Sequence, residues 1–217
     1  MAQPWVMNPC QGTLLPDRSC EVTSSLADVA LVPGGAQVAG GTGDALVEVS
    51  EQEHQRRVAA GLQAVTDLGL LDRLLGLPLG ELVRWDDLSP DDARRIRMAP
   101  YGVVDRSSVG VRRLLAYPAA VPLVLVRGHS WRRGLRAASA FEPFAQRVLV
   151  LDGSHGNLHR LTWEADVLGV GVWLQTGLGI REVLPPAVWR QKYVKAAGWR
   201  FRERAYLGWL NTTRPQA

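Results

Sequence analysis

Three short runs of strand-forming residues, separated by amphipathic stretches, dominate the second half of the chain: residues 121–127 (VPLVLVR), 147–151 (RVLVL) and 169–174 (GVGVWL). None is interrupted by a polar residue before its end, so each reads as a strand buried on both faces. Between the first two, residues 131–144 place Leu135, Ala138 and Phe141 on one helical face and Arg132, Arg133 and Arg136 on another. Residues 158–168 supply a second helix. Strand–helix–strand–helix–strand with short links implies right-handed crossovers and a sheet covered on both faces. Residues 180–184 are a candidate fourth strand and 101–105 (YGVVD) a candidate strand upstream, while 107–117 fits either strand or helix. The expected fold is α/β, a mixed sheet flanked by helices.

The first half is helical where it is periodic. Val58, Leu62, Val65 and Leu68 recur at spacings of three and four, which predicts a helix over 51–68. A short apolar helix over 70–77 follows, stopped by Pro78. Ser89-Pro90-Asp91-Asp92 is a helix start: a Ser cap, Pro at the first position and acids in the first turn. The end of the chain, 189–210, reads as a basic amphipathic helix broken near Gly198. Residues 1–46 look different, with a glycine-rich run over 34–43 that lacks the Gly-Lys-Ser/Thr end of a phosphate-binding loop. They are expected to form a flexible Gly-rich arm, leaving 47–217 as a single α/β domain.

Composition narrows the class. A chain of 217 residues, 47% hydrophobic and 21% charged, buries a core without disulfide or metal staples. The two cysteines, Cys10 and Cys20, match no zinc spacing and imply no disulfide framework. No stretch has the length and apolarity of a membrane span, and no basic-then-apolar leader opens the sequence. The expectation is a cytoplasmic protein with no membrane association. Charge is segregated: residues 1–100 carry 8 Lys+Arg against 14 Asp+Glu, and residues 101–217 carry 17 against 7. Only Lys192 and Lys195 of the 25 basic residues are lysines. Arginine reads phosphate through a planar fork of donors, which makes the basic half compatible with DNA or RNA. GC-rich coding accounts equally well for Arg over Lys, but not for the segregation of the acids.

Motifs for hydrolytic chemistry are missing or weak. There is no Gly-x-Ser-x-Gly elbow. His155 and His159 stand four apart, but Gly153 and Gly156 turn the first half of that stretch into a loop, and no glutamate follows His155. One block is more specific: Val124-Leu125-Val126-Arg127-Gly128-His129-Ser130-Trp131-Arg132-Arg133-Gly134-Leu135 leading into residues 140–151, then Glu164-Ala165-Asp166-Val167 entering the next strand. Over residues 101–184 this resembles the central part of PD-(D/E)XK nuclease-like proteins, in which a strand ending Glu-x-Lys runs into a Trp-Arg helix. The resemblance implies a restriction-endonuclease-like core. It also implies a degenerate centre, because Leu125 stands where the family has its metal-binding Glu and Arg127 where it has Lys. Asp105 is the acid placed to take the family's first ligand position; otherwise it reads as a turn acid capping Ser107-Ser108.

The expectation is therefore a non-catalytic nuclease-fold protein that binds nucleic acid, or a partner bound to it, through Arg127, Trp131, Arg132, Arg133 and Arg136. No cofactor is expected. The competing readings are an active endonuclease using Asp105 and a second acid not identified by position, which alone would need Mg²⁺, and a regulatory module that binds another protein through the acidic first half.

Overall fold

A computed structural model describes residues 29–153, 156–191, 193 and 195–213, together with short strands at 5–8 and 13–16. Cys10, Cys20 and His155 lie outside the described residues.

The second half folds as its apolar runs require. Strand β8 (Ala119–Gly128), helix α4 (Trp131–Ser139), β9 (Gln146–Asp152), α5 (Leu158–Val167) and β10 (Gly171–Thr176) make two successive parallel crossovers. β11 (Gly179–Leu184) returns antiparallel to β10. Strands β3 (Val29–Val38) and β4 (Gly41–Val49) form an antiparallel hairpin, and β4 pairs antiparallel with β8. At the other edge β1 (Trp5–Asn8) pairs with β2 (Thr13–Pro16) and with β11, which gives the order β2-β1-β11-β10-β9-β8-β4-β3. The sheet is mixed, as expected.

Over residues 29–46 this topology corrects the reading of residues 1–46 as a flexible Gly-rich arm. Residues 29–46 are two strands of the main sheet, and Val32, Ala36 and Ala45 are buried in its core. The glycines serve close packing. A Cβ on Gly41 would stand 2.7 Å from the Ala137 carbonyl oxygen, and one on Gly43 would stand 2.8 Å from that of Leu125. Glycine lets β4 approach α4 and β8, a role it takes in strands where another backbone comes close.

Helices α4, α5 and the C-terminal α6 (Ala196–Thr213) gather on one face of the sheet. There Leu135, Ala138, Phe141, Leu161, Ala165, Phe201 and Tyr206 pack against Val124, Val126, Leu149, Leu151, Val172 and Leu174. Alternate residues of the same strands, Leu123, Leu125, Val148, Val150, Trp173 and Ile180, form a second cluster on the opposite face. No described helix contributes to that second cluster, so the described helices lie on one face rather than on both as the crossover pattern suggested. Two right-handed crossovers that advance the same way along a sheet put both helices on one side.

A smaller antiparallel sheet, β5 (Leu82–Arg84), β7 (Gly110–Arg113) and β6 (Val104–Arg106), stands apart from the main one. It packs with α2 (Leu68–Leu75) and α3 (Pro90–Arg97) around Leu71, Leu74, Ile96, Val103, Val111 and Leu115. The helix read over 51–68 is interrupted. α1 covers only Glu51–Ala59, capped by Ser50 and followed by a turn at Gly61 with φ +62°, and α2 starts afresh from its Asp67 cap. α3 begins as read, with Ser89 capping and Pro90 at the first position. α6 runs unbroken through Gly198 and joins the two halves, with Ala196 and Trp199 in the small-sheet core and Phe201, Ala205 and Tyr206 in the main one. Among the described residues no helix is long and apolar enough to cross a membrane.

Candidate functional site

In open α/β sheets ligands bind beyond the carboxyl ends of the parallel strands. Here that end is built by Arg127 and Gly128 of β8, Asp152 of β9 and Gln175 of β10, with Asp44 on the neighbouring β4. Asp44 lies directly across from Leu125 in the β4–β8 register. Arg127 Nε donates to Asp44 Oδ2 at 2.9 Å and its Nη1 to Gln175 Oε1 at 3.2 Å, spanning β9 to link three strands. Asp44 Oδ1 accepts from the Gly34 backbone N–H at 3.0 Å, which ties the β3–β4 hairpin into the same corner. His129 Nδ1 lies 3.2 Å from Asp152 Oδ2, and both groups are exposed. The Arg127–Asp44 pair, with side chains 42% and 19% exposed, is worth at most about 1 kcal/mol.

Helix α4 begins two residues beyond this end. Its apolar face lies on the sheet as the sequence predicts, and a Cβ on Gly134 would meet Leu149 Cδ1 at 2.3 Å, a measure of how closely the helix sits. Arg132, Arg133 and Arg136 are all exposed on the outward side. None of the described carboxylates pairs with them, whereas Arg73, Arg84, Arg94 and Arg160 each pair with an acid. Trp131 is half-buried against the core, and the Arg132 guanidinium lies 5.0 Å from the centre of its ring. Its indole is thus shared between packing and surface, rather than free as a stacking platform.

The structure does not bring Asp105 to this corner. It lies exposed on β6 of the small sheet, opposite Arg112, while Leu125 and Arg127 are on β8 of the main sheet. The carboxylate that does face Leu125 is Asp44, which the reading of residues 1–46 as an arm removed from consideration. A Mg²⁺ ion is held by carboxylate and carbonyl oxygens. Leu125 supplies none, and the Arg127 guanidinium already occupies Asp44, so this donor set does not fit the ion that the nuclease resemblance implies. Among the described residues no group of three His, Cys, Asp or Glu could hold a metal. His159 is exposed on the first turn of α5.

The most elaborate polar cluster lies elsewhere, where α1 meets α6. Arg57, fully buried, donates from Nε to Glu53 Oε1 at 2.7 Å and from Nη1 and Nη2 to Glu203 at 2.8 Å each. Glu203 also accepts from the Val65 N–H and the Trp199 indole N–H. Burial alone would raise the Glu53 pKa, but hydrogen bonds and charge from Arg56 and Arg57 outweigh it and hold the carboxyl below its ordinary value. Both carboxylates are satisfied from within the chain, so this cluster braces the joint between the two cores. No family model matches the chain, and no curated protein or solved structure is significantly similar to it.

Proposed function

We propose that this chain is a non-catalytic protein with a nuclease-like core that binds nucleic acid along the outer face of α4. The observation that carries the reading is the triplet Arg132, Arg133 and Arg136, exposed on consecutive turns of a helix that contains no acid. Side chains three and four apart share a helix face. Three guanidinium groups there form a strip that meets phosphates without reading bases. The strand–helix–strand order of β8, α4 and β9 supports the nuclease-like comparison. The Arg127–Asp44 pair supports loss of catalysis, because arginine stays protonated and cannot serve as the base that a lysine in that position provides.

The test is fluorescence anisotropy with labelled single- and double-stranded DNA and RNA across a salt series. Binding should weaken with salt, and Arg132→Ala, Arg133→Ala and Arg136→Ala together should flatten the log–log slope by about 2–3 units. Unchanged affinity and slope in the triple variant would remove the reading and favour the protein-interaction alternative. Cleavage on adding Mg²⁺, abolished by Asp44→Asn, would overturn its non-catalytic part.

A further inference from the structure

At the opposite end of β9 lies a cleft of about 600 Å³ that none of the foregoing uses. Its floor is the start of β9 with Gln146 and Arg147, one wall is residues 187–191, and the other is the first turn of α6. The 187–191 wall is held in place. Gln146 Nε2 donates to the Ala187 carbonyl at 3.4 Å, Trp189 Nε1 to the Glu142 carbonyl at 2.9 Å, and Arg202 Nη2 to Gln191 Oε1 at 2.6 Å. A volume of this size holds a small molecule, within the usual range of about 300–1,000 Å³ for ligand pockets.

The charge lining it is one-sided. Arg147, Arg190, Lys195 and Arg202 face the cleft against a single acid, the exposed Glu142. Arg147 is only 8% exposed, yet its one hydrogen bond is from Nη2 to the Leu168 carbonyl at 2.9 Å, which leaves Nε and Nη1 without an acceptor among the described residues. Arg202 has Gln191 and the face of Tyr117 as neighbours but no carboxylate. Burial lowers the pKa of both arginines, with only partial compensation from Glu142 at Arg147 and from Tyr117 at Arg202. A buried cation without a counter-charge is costly, and an anion bound beside it would offset that cost.

The backbone adds to the same field. α6 is 18 residues long, and its first-turn residues Ala197 and Gly198 line the cleft. Their N–H groups have no acceptor within the helix, as in any first turn, and the positive end of the helix dipole points the same way. A Cβ built on Gly198 meets nothing within 4 Å, so a side chain fits at that position of the first turn. The indole of Trp189, fixed by its bond to Glu142, supplies a flat apolar surface beside the cations.

We infer that this cleft binds a phosphate-bearing small molecule of mononucleotide size, with its phosphate held by Arg147, Arg202 and the N-terminus of α6 and its ring against Trp189. The assignment goes beyond the α4 surface and does not depend on it.

The experiment is calorimetric titration of the full chain with ADP, ribose 5-phosphate and adenosine. ADP should bind saturably, ribose 5-phosphate more weakly, and adenosine at least about tenfold more weakly than ADP, the scale of losing charge-assisted hydrogen bonds. Gly198→Glu is the decisive variant. A carboxylate in the first turn favours the helix, so its melting transition should be preserved, while ADP affinity should fall by about tenfold or more. Arg202→Gln should weaken ADP similarly, and the Arg132/Arg133/Arg136 triple variant should not. Absence of ADP binding up to about 10 mM would overturn the inference, a limit already weaker than millimolar affinity. Adenosine equal to ADP, ribose 5-phosphate equal to ADP, or unchanged affinity in both Gly198→Glu and Arg202→Gln would each overturn it as well.

Discussion

Arg57→Met is the substitution that should cost this fold most for the fewest atoms. The guanidinium it removes is fully buried and makes four hydrogen bonds: one to Glu53, two to Glu203 and one to the Ala116 carbonyl. Methionine fills much of the same space, so the loss is mainly electrostatic. Glu203 keeps only the Val65 N–H and the Trp199 indole, and Glu53 keeps Arg56 and the weak contact from the Ala116 N–H at 3.4 Å. Glu53 then keeps one arginine and Glu203 none, and breaking a buried pair in this way costs about 3–5 kcal/mol. With a urea m-value of about 2–3 kcal/mol/M, the midpoint should fall by about 1–2.5 M. Urea titrations followed by circular dichroism and tryptophan fluorescence measure this directly. The double variant Arg57→Met, Glu203→Met should lose much less than the sum of its parts, because it removes both charges together. A midpoint shift under about 0.3 M for Arg57→Met alone would show that the network adds no net stability.

The same network sets an acid limit. The Glu53 carboxyl is held below its ordinary value of 4.5, so its stabilisation is complete above that pH and is lost as pH falls through the native pKa. Urea midpoints between pH 6 and pH 3 should therefore fall more steeply for the native chain than for Glu53→Gln. Removing residues 1–46 should abolish cooperative thermal unfolding, because it strips β3 and most of β4 from the sheet; an unchanged melt would refute the placement of the hairpin. Gly134→Ala should lower stability by about 1–3 kcal/mol through overpacking on Leu149, in spite of roughly 1 kcal/mol of improved helix propensity. Chemical denaturation reads that sign without ambiguity.

The parts of the fold that could be read in advance are those where burial and backbone preference agree. The β8–α4–β9–α5–β10 succession was legible because each strand holds an unbroken apolar run and each helix has one apolar face. Ser107–Tyr117 was undecidable by period: only Gly110–Arg113 pairs as a strand, and the rest is irregular backbone. The hairpin β3–β4 was hidden by its own glycines. Composition treats glycine as a source of flexibility, yet Gly41 and Gly43 are there because neighbouring backbones leave no room for a Cβ, and that depends on residues nearly a hundred positions away. The error carried into the site. With residues 1–46 set aside as an arm, Asp44 was invisible, and Asp105 took its place on the strength of position alone. The arginine strip on α4 was legible, since helical spacing fixes which residues share a face. The cleft at β9 was not, because it needs the first residue pair of one strand, a later irregular segment and a helix end to converge.

The distribution of unmatched charge argues for where function lies. At the carboxyl end of the parallel strands, the usual place for ligands, Arg127 is tied to Asp44 and Gln175, and His129 lies beside Asp152. The guanidinium there already has a carboxylate, so an incoming anion would have to displace it and gain little. Elsewhere the balance differs. On α4 three arginines have no acid within their helix, and in the cleft Arg147 and Arg202 are desolvated without a carboxylate partner. The free energy available for binding an anion is greatest where the protein has not already supplied one. By that criterion the surface of α4 and the amino end of β9 are the places to look for ligands, and the end that fold topology favours is a structural clasp that holds the β3–β4 hairpin to the sheet.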